Sequence, residues 1–347
     1  MIVIDAFSAN DALRMGLRLI GKTGEPIESR AGKTIEVPDA VATTYHSPEK
    51  RVLISKVRDA NPFFHLMEAL WILNGRDDTK FLCEFNSNMI NYSDDGVKFN
   101  APYGDRLKYG FIDSKGEFID QIQSIIDILK RDPNSRQAIA QIWDPKDLNN
   151  FETKDKACNM QAVFRVRKGK LCLTIYNRSN DIIWGAYGAN IVQFSMLLEY
   201  VAAKVGIPMG TYTQVSNSYH VYTEGPGGLL YNRLIAKYDY VSEPYDYVNN
   251  QVLMKRCQMD NFDSDLNYFF SVYDANNIET LAKMNNWQSD YFKELVIPML
   301  RVYDVYKRDS PEAARAICHE IEADDWRKAA QDWMEVRIQN RKRKENK

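Results

Sequence analysis

Lys156-Ala157-Cys158-Asn159-Met160 precedes two β-rich segments, 161–166 and 170–176, and the second of these runs into Asn177-Arg178-Ser179-Asn180-Asp181. A small-residue stretch follows, Trp184-Gly185-Ala186-Tyr187-Gly188-Ala189-Asn190. The turn Arg167-Lys168-Gly169 between the two segments makes them a hairpin. A hairpin folds the thiol at the mouth of one strand onto the arginine at the end of the next. Only a thiolate attacks carbon, so a nucleophilic cysteine needs a lowered pKa or a cation close by, and Arg178 is that cation. A lone cysteine is ordinarily a small buried hydrophobe. Arg178 at the far end of the hairpin is what sets Cys158 apart from the other cysteines.

Outward from the hairpin, helix and strand patterns alternate without repeats or low-complexity linkers. Leu13, Leu17 and Ile20 share one face of a short helix over 11–20. Extended segments are expected at 34–37 and 51–57. Asn61-Pro62 opens a helix that ends at Asn74-Gly75, with proline in the first turn. Further helices are expected at 78–88, 119–130 and 191–205, the last stopped by Gly206, and extended segments at 138–143, 211–215 and 219–222. From about 276 the chain turns helical, with Trp287, Trp326 and Trp333 as packing residues. The expected fold is α/β (α+β), a mixed β-sheet flanked by helices. We divide it into a catalytic unit, 1–250, and a mostly helical C-terminal extension, 251–347.

Composition excludes several classes. The 347 residues carry a net charge of −2, which argues against a nucleic-acid-coating protein, although a local patch can still hold phosphate. No apolar run approaches the ~18 residues of a membrane span, and Met1-Ile2-Val3-Ile4-Asp5-Ala6 lacks the features of a signal peptide. Cys83, Cys158, Cys172, Cys257 and Cys318 are scattered and odd in number, so they read as reduced thiols in a cytoplasm and not as a disulfide framework or metal site.

The pattern of Cys158, then Arg178-Ser179-Asn180-Asp181, a glycine and Asn190 resembles the core of the thymidylate synthases and the related pyrimidine-nucleotide hydroxymethylases. That resemblance implies a homodimer, a pyrimidine nucleoside 5′-monophosphate substrate and 5,10-methylenetetrahydrofolate as cofactor. The cysteine would bond C6 of the pyrimidine and make C5 nucleophilic toward a one-carbon unit. Glu68-Ala69-Leu70-Trp71-Ile72-Leu73-Asn74-Gly75 resembles the family helix whose glutamate organises proton transfers, and a carboxyl among apolar neighbours gains a pKa suited to that work. Ala101-Pro102-Tyr103-Gly104 resembles a segment that puts Tyr103 on the active-site wall. Asp181, Gly185 and Trp71 are implied folate contacts.

The resemblance also implies a phosphate site of arginines, two of them from the partner subunit. Arg178 and Ser179 match it; Arg30 matches the phosphate loop loosely. Asp132-Pro133-Asn134-Ser135-Arg136-Gln137 resembles the element donated across the dimer, with Gln137 in place of a second arginine. Glutamine offers only a neutral hydrogen bond where guanidinium offers a charged fork. His220 and Tyr222, two apart on a strand and so on one face, resemble the pair that holds the sugar 3′-hydroxyl. Asn159 and Asn190 are placed at the base.

Departures from the family bear on the reaction. Asn159 replaces a histidine of the family's water network, and the interval from glycine to Asn190 is one residue longer. At the place of a tryptophan that covers the one-carbon intermediate the chain reads Met89-Ile90-Asn91-Tyr92. The short apolar C-terminal lid is replaced by a long extension ending in Arg341-Lys342-Arg343-Lys344, read as a solvated helix end. A more open site favours water over hydride as the final reactant. The expected reaction of this phage-type or biosynthetic variant is dUMP 5-hydroxymethylation. The sequence leaves open dCMP or CMP as substrate, a methyl product, and an idle nucleotide- or nucleic-acid-binding homologue.

Overall fold

The computed structural model describes residues 1–29, 32–237 and 243–346. Its strands are β1 (Ile2–Ala6), β2 (Glu25–Ser29), β3 (Gly32–Glu36), β4 (Val41–Tyr45), β5 (Ile139–Gln141), β6 (Asn159–Arg167), β7 (Lys170–Asp181) and β8 (Met209–Tyr222). They form one mixed sheet in the order β1-β4-β8-β7-β6-β5, with β3 joined to the end of β8 and β2 outside it. β1 and β4, and β7 and β8, pair in parallel; the rest are antiparallel.

The decisive hairpin is present. β6 and β7 pair from Asn159↔Asn177 to Arg167↔Lys170. They close through Lys168 and Gly169, both at positive φ (50° and 74°). Two left-handed residues make the primed turn whose twist matches that of the strands. β8 is one strand where two extended pieces are expected. It runs on unbroken because its antiparallel partner changes from β4 to β3 along its length, while β7 stays beside it.

Before the hairpin come helices α1 (Ala9–Thr23), α2 (Pro62–Asn74), α3 (Thr79–Phe85), α4 (Tyr103–Lys108) and α5 (Gln121–Arg131). After it come α6 (Asn190–Val205), α7 (Gly225–Lys237), α8 (Met259–Ala275), α9 (Ile278–Lys283), α10 (Ile297–Arg308), α11 (Pro311–Ala316) and α12 (Asp324–Glu345). The helical region therefore begins well ahead of residue 276. α2 has the expected ends: the Asn61 side chain caps the Phe64 amide at 3.1 Å and Gly75 adopts φ 80°. Pro62 to Leu73 are all buried, since α6, α8, α10 and α12 pack on this helix. Trp287, Trp326 and Trp333 are buried, and one apolar cluster runs from β1 into α12.

Segment 51–57 is not a strand. Asn10 bonds both the Val52 carbonyl and the Ile54 amide at 2.9 Å, and the Tyr245 hydroxyl takes the Val52 amide at 3.0 Å. Side chains occupy the backbone groups that a neighbouring strand would use.

Candidate active site

Three adjacent strand ends build the site. The Arg178 amide donates to the Cys158 carbonyl at 3.0 Å, which fixes the start of β6 against the end of β7. The Arg178 guanidinium then turns back: Nε donates to Ala157 O (2.9 Å), Nη2 to Lys156 O (3.1 Å), and Nη2 lies 3.8 Å from Cys158 Sγ. On the other side, parallel register pairs Ser179 with Ser218 and Asp181 with His220. A cavity of about 310 Å³ opens there. Of the residues singled out from the sequence, Glu68, Trp71, Tyr103, Cys158, Ser179, Asp181, Gly185, Asn190, His220 and Tyr222 line it.

The longer interval before Asn190 takes a specific form. Residues Ile182–Ala189 make a π-helical turn, and the Asn190 amide bonds back to Gly185 O. Such a turn takes up one more residue than an α-turn, so Asn190 still begins α6 facing the cavity. Asp181 starts this turn, its Oδ1 accepting from the amides of Ile183 (2.9 Å) and Trp184 (2.6 Å).

Several buried acceptors in the cavity are left open. Glu68 Oε2, Asp181 Oδ2 and Gln193 Oε1, all on residues that line it, have no hydrogen-bond partner. Orphaned buried polar atoms are rare in folded proteins. Their clustering marks a cavity shaped for a polar ligand.

Burial dominates the titration of the site. It raises the Glu68 carboxyl to about 7, with the nearby Gln193 side chain opposing the rise, because the helix that carries Glu68 is enclosed on every side. It also pushes the Cys158 thiol up; Arg178 opposes this, while Asp155 and Asp181 add to it. The cation expected beside the thiol is present, yet without ligand desolvation outweighs it. Burial holds the Tyr103 phenol well above its ordinary range, so it remains a donor. Burial pulls the His220 imidazole down. Ser218 Oγ gives its one proton to Glu36 Oε2 (2.6 Å), so His220 Nδ1, 3.1 Å from Ser218 Oγ, carries the hydrogen of that contact. His220 Nε2 is then an acceptor, the form a sugar hydroxyl needs.

A stability measurement tests the Glu68 environment. The folded carboxyl titrates near 7 and the unfolded one near 4.5, so between those values the folded protein binds the extra proton and stability falls as pH rises. Between pH 5 and 8 the wild type should lose up to about 3 kcal/mol relative to Glu68→Gln in denaturant titrations. Asp155 and Asp181 titrate in both proteins and cancel. Parallel pH dependences would show that the carboxyl is not held protonated.

Not every expected residue is in the cavity. Arg136 and Gln137 are exposed on the loop before β5 and do not line it, and neither does Arg178, turned back toward Lys156 and Ala157, nor Asn159, fully buried behind the wall. Arg165 holds that loop by donating to the carbonyls of Asn134 and Ser135. Arg30 lies outside the described residues. The structure adds Gln193, which follows Asn190 by three and so shares its face of α6, a spacing visible in the sequence. It also adds Asp155, which accepts from the Ala101 amide at 2.8 Å, and Asn180, which reads as mere spacing within Arg178-Ser179-Asn180-Asp181. Met89 and Tyr92 line the wall where the family tryptophan is missing. No residue beyond Tyr222 lines the cavity among the described residues.

Comparison with known proteins gives the class to which this sheet, hairpin and cavity belong. Residues 15–299 match the thymidylate synthase family, and the chain belongs to that family of transferases. It is 34% identical over 359 aligned positions to a deoxyuridylate hydroxymethyltransferase of Pseudomonas phage M6, an alignment covering 97% of this chain and 95% of that one. A deoxyuridylate hydroxymethyltransferase of Bacillus phage SP01 is 43% identical over 219 residues, covering 62% of this chain and 57% of the relative. A putative thymidylate synthase of Methanosarcina barkeri is 32% identical over 221 residues, or 63% and 89% of the two chains. Among the described residues, no helix is long and apolar enough to cross a membrane.

Proposed function

We propose that the chain transfers a one-carbon unit to C5 of dUMP and finishes by adding water, giving 5-hydroxymethyl-dUMP. The observation that carries this reading is the convergence of Cys158, Glu68, Tyr103, Asn190 and His220 on one cavity. Two phage relatives named as deoxyuridylate hydroxymethyltransferases support the substrate and the product.

In this reading Cys158 Sγ bonds C6 of the base and electron density moves to C5. Arg178 stabilises the sulfur as its proton leaves, and binding of nucleotide phosphate draws on Arg178 and Ser179. Glu68, titrating near neutrality, takes and returns the proton at the base. Tyr103 donates from the wall, and Asn159, buried beside Tyr103, bears on the base from behind it. Asn190 reads the C4 edge, and His220 Nε2 with Tyr222 holds the 3′-hydroxyl.

The family is folate-dependent, and the cavity fits a folate. Asp181 Oδ2 offers a buried, unpaired acceptor to a ring N–H, Gly185 lets a ring approach, and Trp71 and Trp184 supply flat apolar faces. Bound 5,10-methylenetetrahydrofolate would supply the one-carbon unit. Loss of the C5 hydrogen as a proton, with the folate leaving as tetrahydrofolate, would give an exocyclic methylene on C5; water adds to that carbon, and expulsion of the Cys158 thiolate restores the aromatic base. The cavity wall at Met89 and Tyr92, with Tyr92 56% exposed, leaves that carbon within reach of solvent.

The active form in this proposal is a homodimer in a cytoplasm, with Arg136, Gln137 and Arg30 completing phosphate sites. The catalytic unit ends near residue 250, and the helices beyond it are an extension packed on it. Turnover of dUMP in H₂¹⁸O should place one ¹⁸O in the product, seen as a hydroxymethyl mass. An unlabelled methyl product formed with dihydrofolate would make the chain a thymidylate synthase, and no release of the C5 hydrogen would make it an idle homologue.

A further inference from the structure

Asn180 and Gln214, neither of them assigned a role so far, form a buried relay behind Asn190. Gln214 Nε2 donates to the Ala186 carbonyl at 2.9 Å and to the Tyr45 hydroxyl at 3.1 Å. A backbone carbonyl can only accept, so the Gln214 amide has one orientation, and its Oε1 faces Asn180. Asn180 Nδ2 donates to that oxygen at 2.9 Å and to Ser216 Oγ at 3.0 Å. With both its hydrogens spent, Asn180 turns Oδ1 toward Asn190, whose Nδ2 donates to it at 3.0 Å. All three amides are buried. Gly185 keeps the relay tight, because a Cβ there would sit 3.0 Å from Asn180 Oδ1.

We infer that Asn180 and Gln214 are specificity-determining positioning residues, which fix the polarity of the Asn190 amide and so select uracil over cytosine. The inference rests on the reading of Asn190 as the residue that meets the base. One Nδ2 hydrogen of Asn190 is bound to Asn180, so the amide presents Oδ1 and its second N–H to the cavity. That pair matches a base edge that donates at N3 and accepts at C4, which is uracil. Cytosine offers the reverse, an acceptor at N3 and a donor at C4. To meet cytosine the Asn190 amide must turn over, which sets two oxygens or two N–H groups face to face along the relay down to Ala186 O. A free asparagine turns over without penalty; an anchored one does not.

The test compares dUMP with dCMP, both by calorimetric binding without cofactor and by kcat/KM. Asn180→Ala and Gln214→Met should each reduce the wild-type preference for dUMP by ~10-fold or more, since buried mismatched polar groups carry discrimination of that size. Asn180→Asp should retain the preference, because a protonated carboxyl donates to Gln214 and still accepts from Asn190. Asn190→Asp, which alters the reader itself, serves as the positive control. If Asn180→Ala is unfolded, Gln214→Met and Asn180→Asp decide the matter. A folded Asn180→Ala or Gln214→Met with the wild-type ratio overturns the relay. A wild type that prefers dCMP overturns the dUMP reading and with it the selection of uracil by the relay, whereas a wild type that prefers dUMP beside a folded Asn180→Ala of unchanged ratio overturns the relay alone.

Discussion

Cys158→Ala should lose turnover by at least ~10⁴-fold, the scale on which removal of a covalent nucleophile acts. Binding of dUMP should change little, because phosphate, sugar and base contacts come from other side chains. The two measurements together are diagnostic. The Arg178 guanidinium is held chiefly by the carbonyls of Lys156 and Ala157, at 3.1 and 2.9 Å, and not by the sulfur. Truncating the thiol therefore leaves the cation in place. A variant with wild-type turnover removes the covalent mechanism. A variant that has lost both turnover and binding shows that the thiol supports the cavity as well as the chemistry.

The second large effect concerns the dimer. Arg136 is exposed and outside the cavity of its own chain, yet its loop is held firmly through Arg165. A guanidinium presented on an ordered loop suits a phosphate site on a neighbouring subunit. Arg136→Ala and Cys158→Ala should each be severely impaired alone. Once mixed and exchanged, half of the dimers are hybrids with one intact site each, so activity should recover to about a quarter of wild type. Recovery absent despite proven subunit exchange would place Arg136 outside the phosphate site.

How much of this was legible in the sequence varies with the physical origin of each feature. Local chemistry was readable: Asn61-Pro62 and Asn74-Gly75 fix both ends of α2, and Lys168-Gly169 closes the hairpin. The ten cavity residues were readable because the motifs that carry them resemble those of the thymidylate synthases; local pattern alone put only the thiol of Cys158 beside Arg178. Segment 51–57 was misread since its composition suits a strand, and only the distant Asn10 and Tyr245 show that its backbone is already satisfied. The two pieces of β8 could not be joined without knowing that β3 takes over from β4. Burial of the helix carrying Glu68 depends on α8, α10 and α12, which lie hundreds of residues away. The balance at Cys158 was misjudged for the same reason: Arg178 is visible in the sequence, whereas desolvation is a property of the finished fold. Asn180 looked like a spacer because its partners, Gln214 and Ser216, arrive on another strand.

The hairpin and the long strand β8 also differ in when they can form. β6 and β7 are joined by two residues, and such a hairpin closes in about 1–10 μs. β8 must return in parallel through α6 before Asp181 can meet His220, a non-local pairing that forms more slowly. The thiol and the guanidinium therefore meet before the chamber around them exists. Until β8 docks, Cys158 lacks the burial that pushes its thiol up in the finished fold, and its sulfur is open to solvent-borne oxidants and alkylating agents. Docking of β8 ends the exposure, and the same desolvation that restrains the empty enzyme's nucleophile also shields it.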